Sequence, residues 1–250
     1  MASIVAADRN ITVKNACPYT VWPAIYTSLG AQPSQPNGWV APANTSVTFT
    51  VPDLWVSIHW PVLYQTEAKL NRTVAFGDAA TVISLSTLGQ TRALLADAPE
   101  ASCARALFIF NSASPQDYYD ISLIVGYNVP MRIDNHAACG NPSCPVNLNP
   151  SCPTAQKGPF DPTTGAALGC TSACELDKAH GLGANSTNCC TGMYNTPSTC
   201  PSSNVTNYNY YKSNCVNTYA YPFDESSGTA SWTCSTLQKA AYTITFCPSS

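Results

Sequence analysis

Cysteine is the residue that most restricts what this chain can fold into. Thirteen occur in 250 residues, nine of them between Cys139 and Cys215, among Pro, Gly, Asn and Ser with few apolar pairs. A stretch of that composition cannot bury enough apolar surface to hold itself together, so disulfides must hold it. The cytosol keeps thiols reduced, and a chain this dense in cysteine therefore reads as secreted, in the extracellular space or the cell wall. Five Asn-x-Ser/Thr sequons agree, making Asn10, Asn44, Asn71, Asn185 and Asn204 candidates for glycosylation. Residues 1–9, beginning Met1-Ala-Ser-Ile-Val-Ala-Ala7, read as the remnant of a signal peptide.

Outside the cysteine-rich stretch the chain alternates as strands do. Ile11 and Val13 share one face, and so do Val47, Phe49 and Val51, with Pro33, Pro36, Asn37 and Gly38 marking turns between them. The same period returns at Tyr118 to Val125 and at Tyr242 to Cys247. Strands at both ends predict an antiparallel β-sandwich whose terminal strands pair. Residues 10–138 and 216–250 would form that sandwich, and residues 139–215 a disulfide-rich lobe inserted into it. A third region, residues 54–110, fits neither pattern. Ala93 to Ala98 and Ala104 to Leu107 read there as weakly helical.

The charge balance excludes several functions. Eleven Lys and Arg against fourteen Asp and Glu give a net charge of −3, and the cations are scattered singly, so nucleic acid is not an expected partner. The longest apolar runs, such as Ala106 to Phe110, are far short of the roughly 20 residues a membrane helix needs. The chain has no G-x-S-x-G elbow, no G-x-G-x-x-G and no phosphate-binding loop. Neither cofactor nor nucleotide use is expected.

From Cys139 the spacing runs C-x4-C-x7-C-x17-C-x3-C-x14-CC-x9-C-x14-C-x18-C-x12-C. With it go Cys17-Pro-Tyr-Thr-Val-Trp22, Asp117-Tyr-Tyr-Asp-Ile-Ser122, Gly126-Tyr-Asn-Val-Pro-Met131, Asn188-Cys-Cys190, Tyr219-Ala-Tyr-Pro-Phe-Asp224 and Thr245-Phe-Cys-Pro248. This pattern resembles the thaumatin-like proteins, the pathogenesis-related family 5, over residues 10–53 and 115–250. The resemblance implies a mainly β, thaumatin-like antiparallel sandwich and six bridges: Cys17 with Cys247, Cys139 with Cys234, Cys144 with Cys215, Cys152 with Cys170, Cys174 with Cys189, and Cys190 with Cys200. Cys103 stands outside these pairs. Between residues 54 and 110 the family's Thr-Gly-Asp-Cys segment is missing, and only Gly77-Asp78 is similar to it. The match fails abruptly on both sides, which suggests a window read in a shifted frame or from a mispredicted exon.

The resemblance also implies a function: recognition of β-1,3-glucan or another cell-wall polysaccharide in an acidic cleft, by a monomer, in antifungal defence or wall remodelling. Asp120 and Asp224 match cleft acids of the family, while Val125 and Leu107 stand where it has Asp and Glu. Glycoside hydrolysis needs two carboxyl groups across the scissile bond. Asp120 and Asp224 are therefore candidates for weak endo-β-1,3-glucanase catalysis, with the missing Glu weighing against it. A third reading keeps the family fold and loses the cleft function. Pyranose faces stack on aromatic rings, so Tyr119, Tyr127 and Tyr221 join Asp120 and Asp224 as ligand-binding candidates. Core packing is the competing role for these rings, and Glu225 and Asp117 read as surface acids. His136 near Cys139 and Cys144 is superficially similar to a zinc cluster, but with those cysteines in bridges no thiolate remains to bind metal. His59, His136 and His180 read as structural or surface residues.

Overall fold

The computed structural model describes residues 8–62, 103–111, 113–161 and 163–249. Met1 to Ala7, Gly77-Asp78, Ala93 to Ala98, the sequon at Asn71 and the side chain of His59 lie outside the described residues.

Twelve strands are named here in chain order: β1 (Arg9–Asn15), β2 (Trp22–Leu29), β3 (Ser46–Val51), β4 (Trp55–Val62), β5 (Arg105–Phe110), β6 (Gln116–Ser122), β7 (Gly126–Tyr127), β8 (Met131–Asn135), β9 (Ser143–Cys144), β10 (Cys170–Thr171), β11 (Trp232–Ser235) and β12 (Tyr242–Phe246). Two short helices, α1 (Ala173–Ala179) and α2 (Tyr208–Asn214), lie between β10 and β11. One five-stranded sheet has the order β3-β1-β12-β8-β9, the other β11-β6-β5-β4-β2, and β10 and β7 form a small third pair. The terminal strands do pair, but β1 runs parallel to β12, with Ile11 against Tyr242 and Asn15 against Phe246.

Alternation explains the strands. In β1 the buried residues are Arg9, Ile11, Val13 and Asn15, with Asn10 and Lys14 exposed between them. Arg9 is the first residue of this strand. In β5, Ala106, Phe108 and Phe110 are buried. This corrects the helical reading of Ala104 to Leu107: three inward residues at period two, paired with strands on either side, outweigh the weak helix preference of Ala and Leu. Both described ends of the 54–110 window are therefore sheet. β4 pairs with β2 and β5, and β5 pairs with β6.

The two sheets face each other across an aromatic core. Tyr242 of β12 lies 4.9 Å from Tyr119, 5.3 Å from Phe108 and 5.5 Å from Phe110 between ring centroids. A buried ion pair crosses the same interior. Arg9 donates to Asp117 of β6 and, at 3.0 Å, to Asp53, while its guanidinium lies 4.9 Å from the Phe110 ring. Asp117, read from sequence as a surface acid, is fully buried. Burial pushes its carboxyl up, and the neighbouring Arg9 pulls it only part of the way back.

Six disulfides join Cys17 to Cys247, Cys139 to Cys234, Cys144 to Cys215, Cys152 to Cys170, Cys174 to Cys189, and Cys190 to Cys200. Cys103 is buried. The main core extends into the cysteine-rich segment through Leu148, Cys152, Cys170, Tyr211 and Cys215, and a small second cluster there gathers Cys190, Cys200 and Tyr221. α1 starts on Ser172, whose hydroxyl accepts the Glu175 N–H at 3.2 Å, the capping geometry expected of Ser-x-x-Glu. Among the described residues no helix is long and apolar enough to cross a membrane.

Candidate functional site

β5 and β6 turn one side of each strand to the core and the other outward. Phe108, Phe110, Tyr119 and Ile121 are buried, whereas Leu107 and Asp120 are half-buried and Tyr118 is exposed. Register sets Leu107 directly across from Asp120, and Arg105 across from Ser122. Directly opposed residues of an antiparallel pair have Cβ atoms about 5 Å apart, so the carboxyl of Asp120 stands beside an apolar side chain.

The other flank is built by the chain after α2. Tyr219 forms a parallel bridge with Ser122: its N–H donates to the Ile121 carbonyl at 2.9 Å, and its own carbonyl accepts from Leu123 at 2.8 Å. This clips residue 219 onto the edge of β6 next to Asp120. A 3-10 turn, Asp224–Ser227, follows and presents Glu225 to solvent. The hydroxyl of Tyr219 donates to Glu225 Oε1 at 3.1 Å. Asp120, Tyr219 and Glu225 thus form one electrostatic group: burial is the main cause raising the Asp120 pKa to about 8, and the charge of Glu225 adds to it. Burial likewise raises the Tyr219 hydroxyl, with Glu225 and Asp120 contributing. Asp120 Oδ1 is buried and accepts no hydrogen bond among the described residues.

Asp224 is built differently from what its place beside Glu225 suggests. It is 0% exposed, and both of its oxygens are engaged. Tyr208 OH donates to Oδ1 at 2.8 Å, the Ala220 N–H donates to Oδ2 at 2.9 Å, and Lys212 Nζ lies 3.0 Å from Oδ2. Tyr208 and Lys212 are four residues apart on α2 and so share a helix face. The Cys144–Cys215 bridge fastens the end of that helix to β9. Asp224 therefore locks α2 to the turn that carries Glu225, and the expectation that it contacts ligand or reacts with it is corrected: a carboxylate with no exposed surface and both oxygens committed cannot reach a sugar.

Three aromatic candidates are corrected on the same ground. Tyr119 is 1% exposed and donates to the Gly140 carbonyl at 2.6 Å. Tyr127 is 0% exposed and donates to the Val146 carbonyl at 2.8 Å. Tyr221 is 4% exposed and stacks edge-on with Tyr208, ring centroids 5.3 Å apart. Tyr219, Tyr221 and Phe223 precede the 3-10 turn, with Tyr221 turned inward and Tyr219 half-buried. Of the five ligand-binding candidates, Asp120 alone keeps a place at the outer face. The group that sequence reasoning missed is Glu225 with Tyr219. Their proximity to Asp120 depends on the 219–122 bridge, for which no local sequence signal exists.

The sequons at Asn10, Asn44, Asn185 and Asn204 are exposed. His136 Nε2 lies 2.8 Å from Thr243 Oγ1, and His180 caps the end of α1. Among the described residues no group of three or more His, Cys, Asp or Glu is placed to hold a metal ion.

Comparison with known proteins agrees with the architecture. The model of the Thaumatin family matches residues 15–248. Thaumatin-like protein 1 of Arabidopsis thaliana is 32% identical, covering 98% of this chain and 89% of its own length. Thaumatin-like protein 1 of Pyrus pyrifolia is 31% identical over 96% of this chain and 91% of its own. A Prunus avium protein named glucan endo-1,3-beta-glucosidase is 32% identical over 97% and 92%. With the two-sheet fold, six disulfides and a match over nearly its whole length, this chain belongs to the thaumatin family.

Proposed function

We propose that this is a secreted protein that recognises cell-wall β-1,3-glucan on the outer face of β5 and β6, between Leu107 and the Tyr219–Glu225 pair. The observation that carries the reading is Asp120: a half-buried carboxyl with one oxygen that finds no donor among the described residues, poised to remain protonated near neutral pH. A protonated acid both donates and accepts, which suits the hydroxyls of a neutral sugar. Leu107 offers an apolar surface for a sugar C–H face, and Glu225 a solvent-facing acceptor. Six disulfides support an oxidising, extracellular setting in defence or wall remodelling.

The raised pKa of Asp120 supports a second reading, weak endo-β-1,3-glucanase activity, with Glu225 in the role first given to Asp224. An acid kept protonated by burial can donate to the leaving oxygen, and an exposed carboxylate can act as nucleophile or activate water. The relative named glucan endo-1,3-beta-glucosidase makes this reaction the one to assay.

A pull-down on insoluble β-1,3-glucan tests both readings, using oxidised protein and the single variants Asp120→Ala and Glu225→Gln. Retention that both variants weaken supports the site, and reducing ends released by the parent protein but by neither variant support hydrolysis. Retention unchanged in both variants would move the site elsewhere. No retention at all would mean that the chain keeps the family fold without this cleft function.

A further inference from the structure

The outer face of the other sheet carries a polar groove, with a volume of about 690 Å³, whose lining includes Lys14, Arg132, Asp134, His136, Thr243 and Thr245. That volume lies within the range of ligand-binding clefts. The groove is independent of Asp120, because its residues come from β1, β8, β12 and the segments that adjoin them and none from β5 or β6.

Register explains its charge pattern. Lys14 of β1 pairs with Thr245 of β12, which pairs with Arg132 of β8. Two cations therefore flank a threonine on three adjacent strands, their backbones about 10 Å apart at two strand spacings. Thr245 is 5% exposed, at the floor of the row. The next row, Thr12–Thr243–Asp134, adds hydroxyls, and His136 reaches Thr243. Asp134 is the one carboxylate in this lining, and it engages only Nε of Arg132, at 2.9 Å. Among the described residues Lys14 forms no ion pair, and the terminal nitrogens of Arg132 make no hydrogen bond. In a chain of net charge −3, this face is a local excess of positive charge over a floor of hydroxyls.

We infer that this groove binds an acidic oligosaccharide, carboxylated or sulfated, with Lys14 and Arg132 holding the anionic group above Thr245 and the threonine hydroxyls meeting sugar hydroxyls. An extended groove with hydrogen-bonding groups along two rows fits a chain of sugars better than an isolated anion. The two cations flanking one row give a charged substituent a fixed position.

The test is a titration of isotope-labelled, oxidised protein followed by amide chemical shifts. The probes are a galacturonate trimer, a sulfated trisaccharide, a neutral β-1,3-glucan trimer and inorganic sulfate. At least one acidic trimer is expected to shift Thr243, Thr245 and His136, with the carboxylated and sulfated arms telling which anion is preferred. Lys14→Gln, at an exposed site, should weaken that binding by about threefold or more, and Lys14→Gln with Arg132→Gln should abolish it. Raising salt from about 0.05 to about 0.5 M should weaken it further. Asp120→Ala should leave it intact, which separates failure here from failure of the glucan site. The inference is overturned if neither acidic trimer shifts these residues, if inorganic sulfate or the neutral trimer binds as tightly, or if a folded Lys14→Gln protein binds like the parent.

Discussion

Leu107 of β5 faces Asp120 of β6 across one register position on the outer face of the second sheet. An apolar neighbour desolvates a carboxyl where a second acid would have competed with it for a proton. With Glu225 adding negative charge from the opposite flank, both influences favour the neutral form of Asp120.

The folded-state pKa of Asp120 is raised from 3.8 to about 8. The folded protein therefore holds a proton that the unfolded chain releases, and stability attributable to this group falls as pH rises through that interval. Asp120→Asn should leave stability near pH 4 almost unchanged and raise it at pH 8 by on the order of a few kcal/mol. Thermal melts of both proteins across this range measure the difference. A constant offset between the two curves would show that Asp120 is not buried as described.

Neighbouring acids should respond in opposite ways. Asp224→Ala leaves Lys212 with only the Thr218 carbonyl and takes the acceptor from the Tyr208 hydroxyl and the Ala220 N–H, and losing one partner of a buried pair costs about 3–5 kcal/mol. Its melting temperature should fall steeply, and glucan retention with it. Glu225→Gln, at an exposed position, should keep the melting temperature and change retention alone. Circular dichroism melts run beside the pull-down separate a structural acid from a surface one.

Arg9 and Asp117 join the two sheets through the interior. Arg9→Met should destabilise by about 3 kcal/mol or more, because Asp117 is left buried without the partner that favours its charged form. Arg9→Met with Asp117→Leu should recover much of that loss, since two apolar side chains need no partners. A double-mutant cycle in urea gives the coupling directly. Full additivity would mean that the pair does not interact.

The Cys17–Cys247 bridge closes a loop of sequence separation 230. On the chain-entropy account, replacing both cysteines by serine should destabilise the oxidised protein by about 4–5 kcal/mol. Replacing Cys190 and Cys200, separated by 10, should cost less, because a short loop restrains the unfolded chain less. Denaturation of the two double-serine variants under identical conditions compares them.

Much of the architecture was legible in the chain because strand burial repeats every second residue. Ile11 and Val13, Val47 to Val51, and Tyr242 to Phe246 announce their inward faces locally. The cysteine spacing was specific enough to identify the family. Ala104 to Leu107 misled because four residues containing two alanines carry helix preference without enough length to display their period, and only pairing with β4 and β6 made Arg105 to Leu107 strand. The site was far less legible. Asp224 and Glu225 are adjacent in sequence and alike in chemistry, yet Lys212 and Tyr208 capture one while the other faces solvent.

The sequence alone determined the class of fold and the dependence on disulfides, because composition, alternation and cysteine spacing act through local geometry and covalent chemistry. Tertiary structure decided which polar groups are spent on the fold and which stay at the surface. Whether a carboxyl or a tyrosine ring is available depends on partners brought from distant segments: Lys212 to Asp224, Gly140 to Tyr119, Tyr219 to the edge of β6. Burial of a polar group is favourable only when those partners arrive, and the chain does not encode their arrival within any local window.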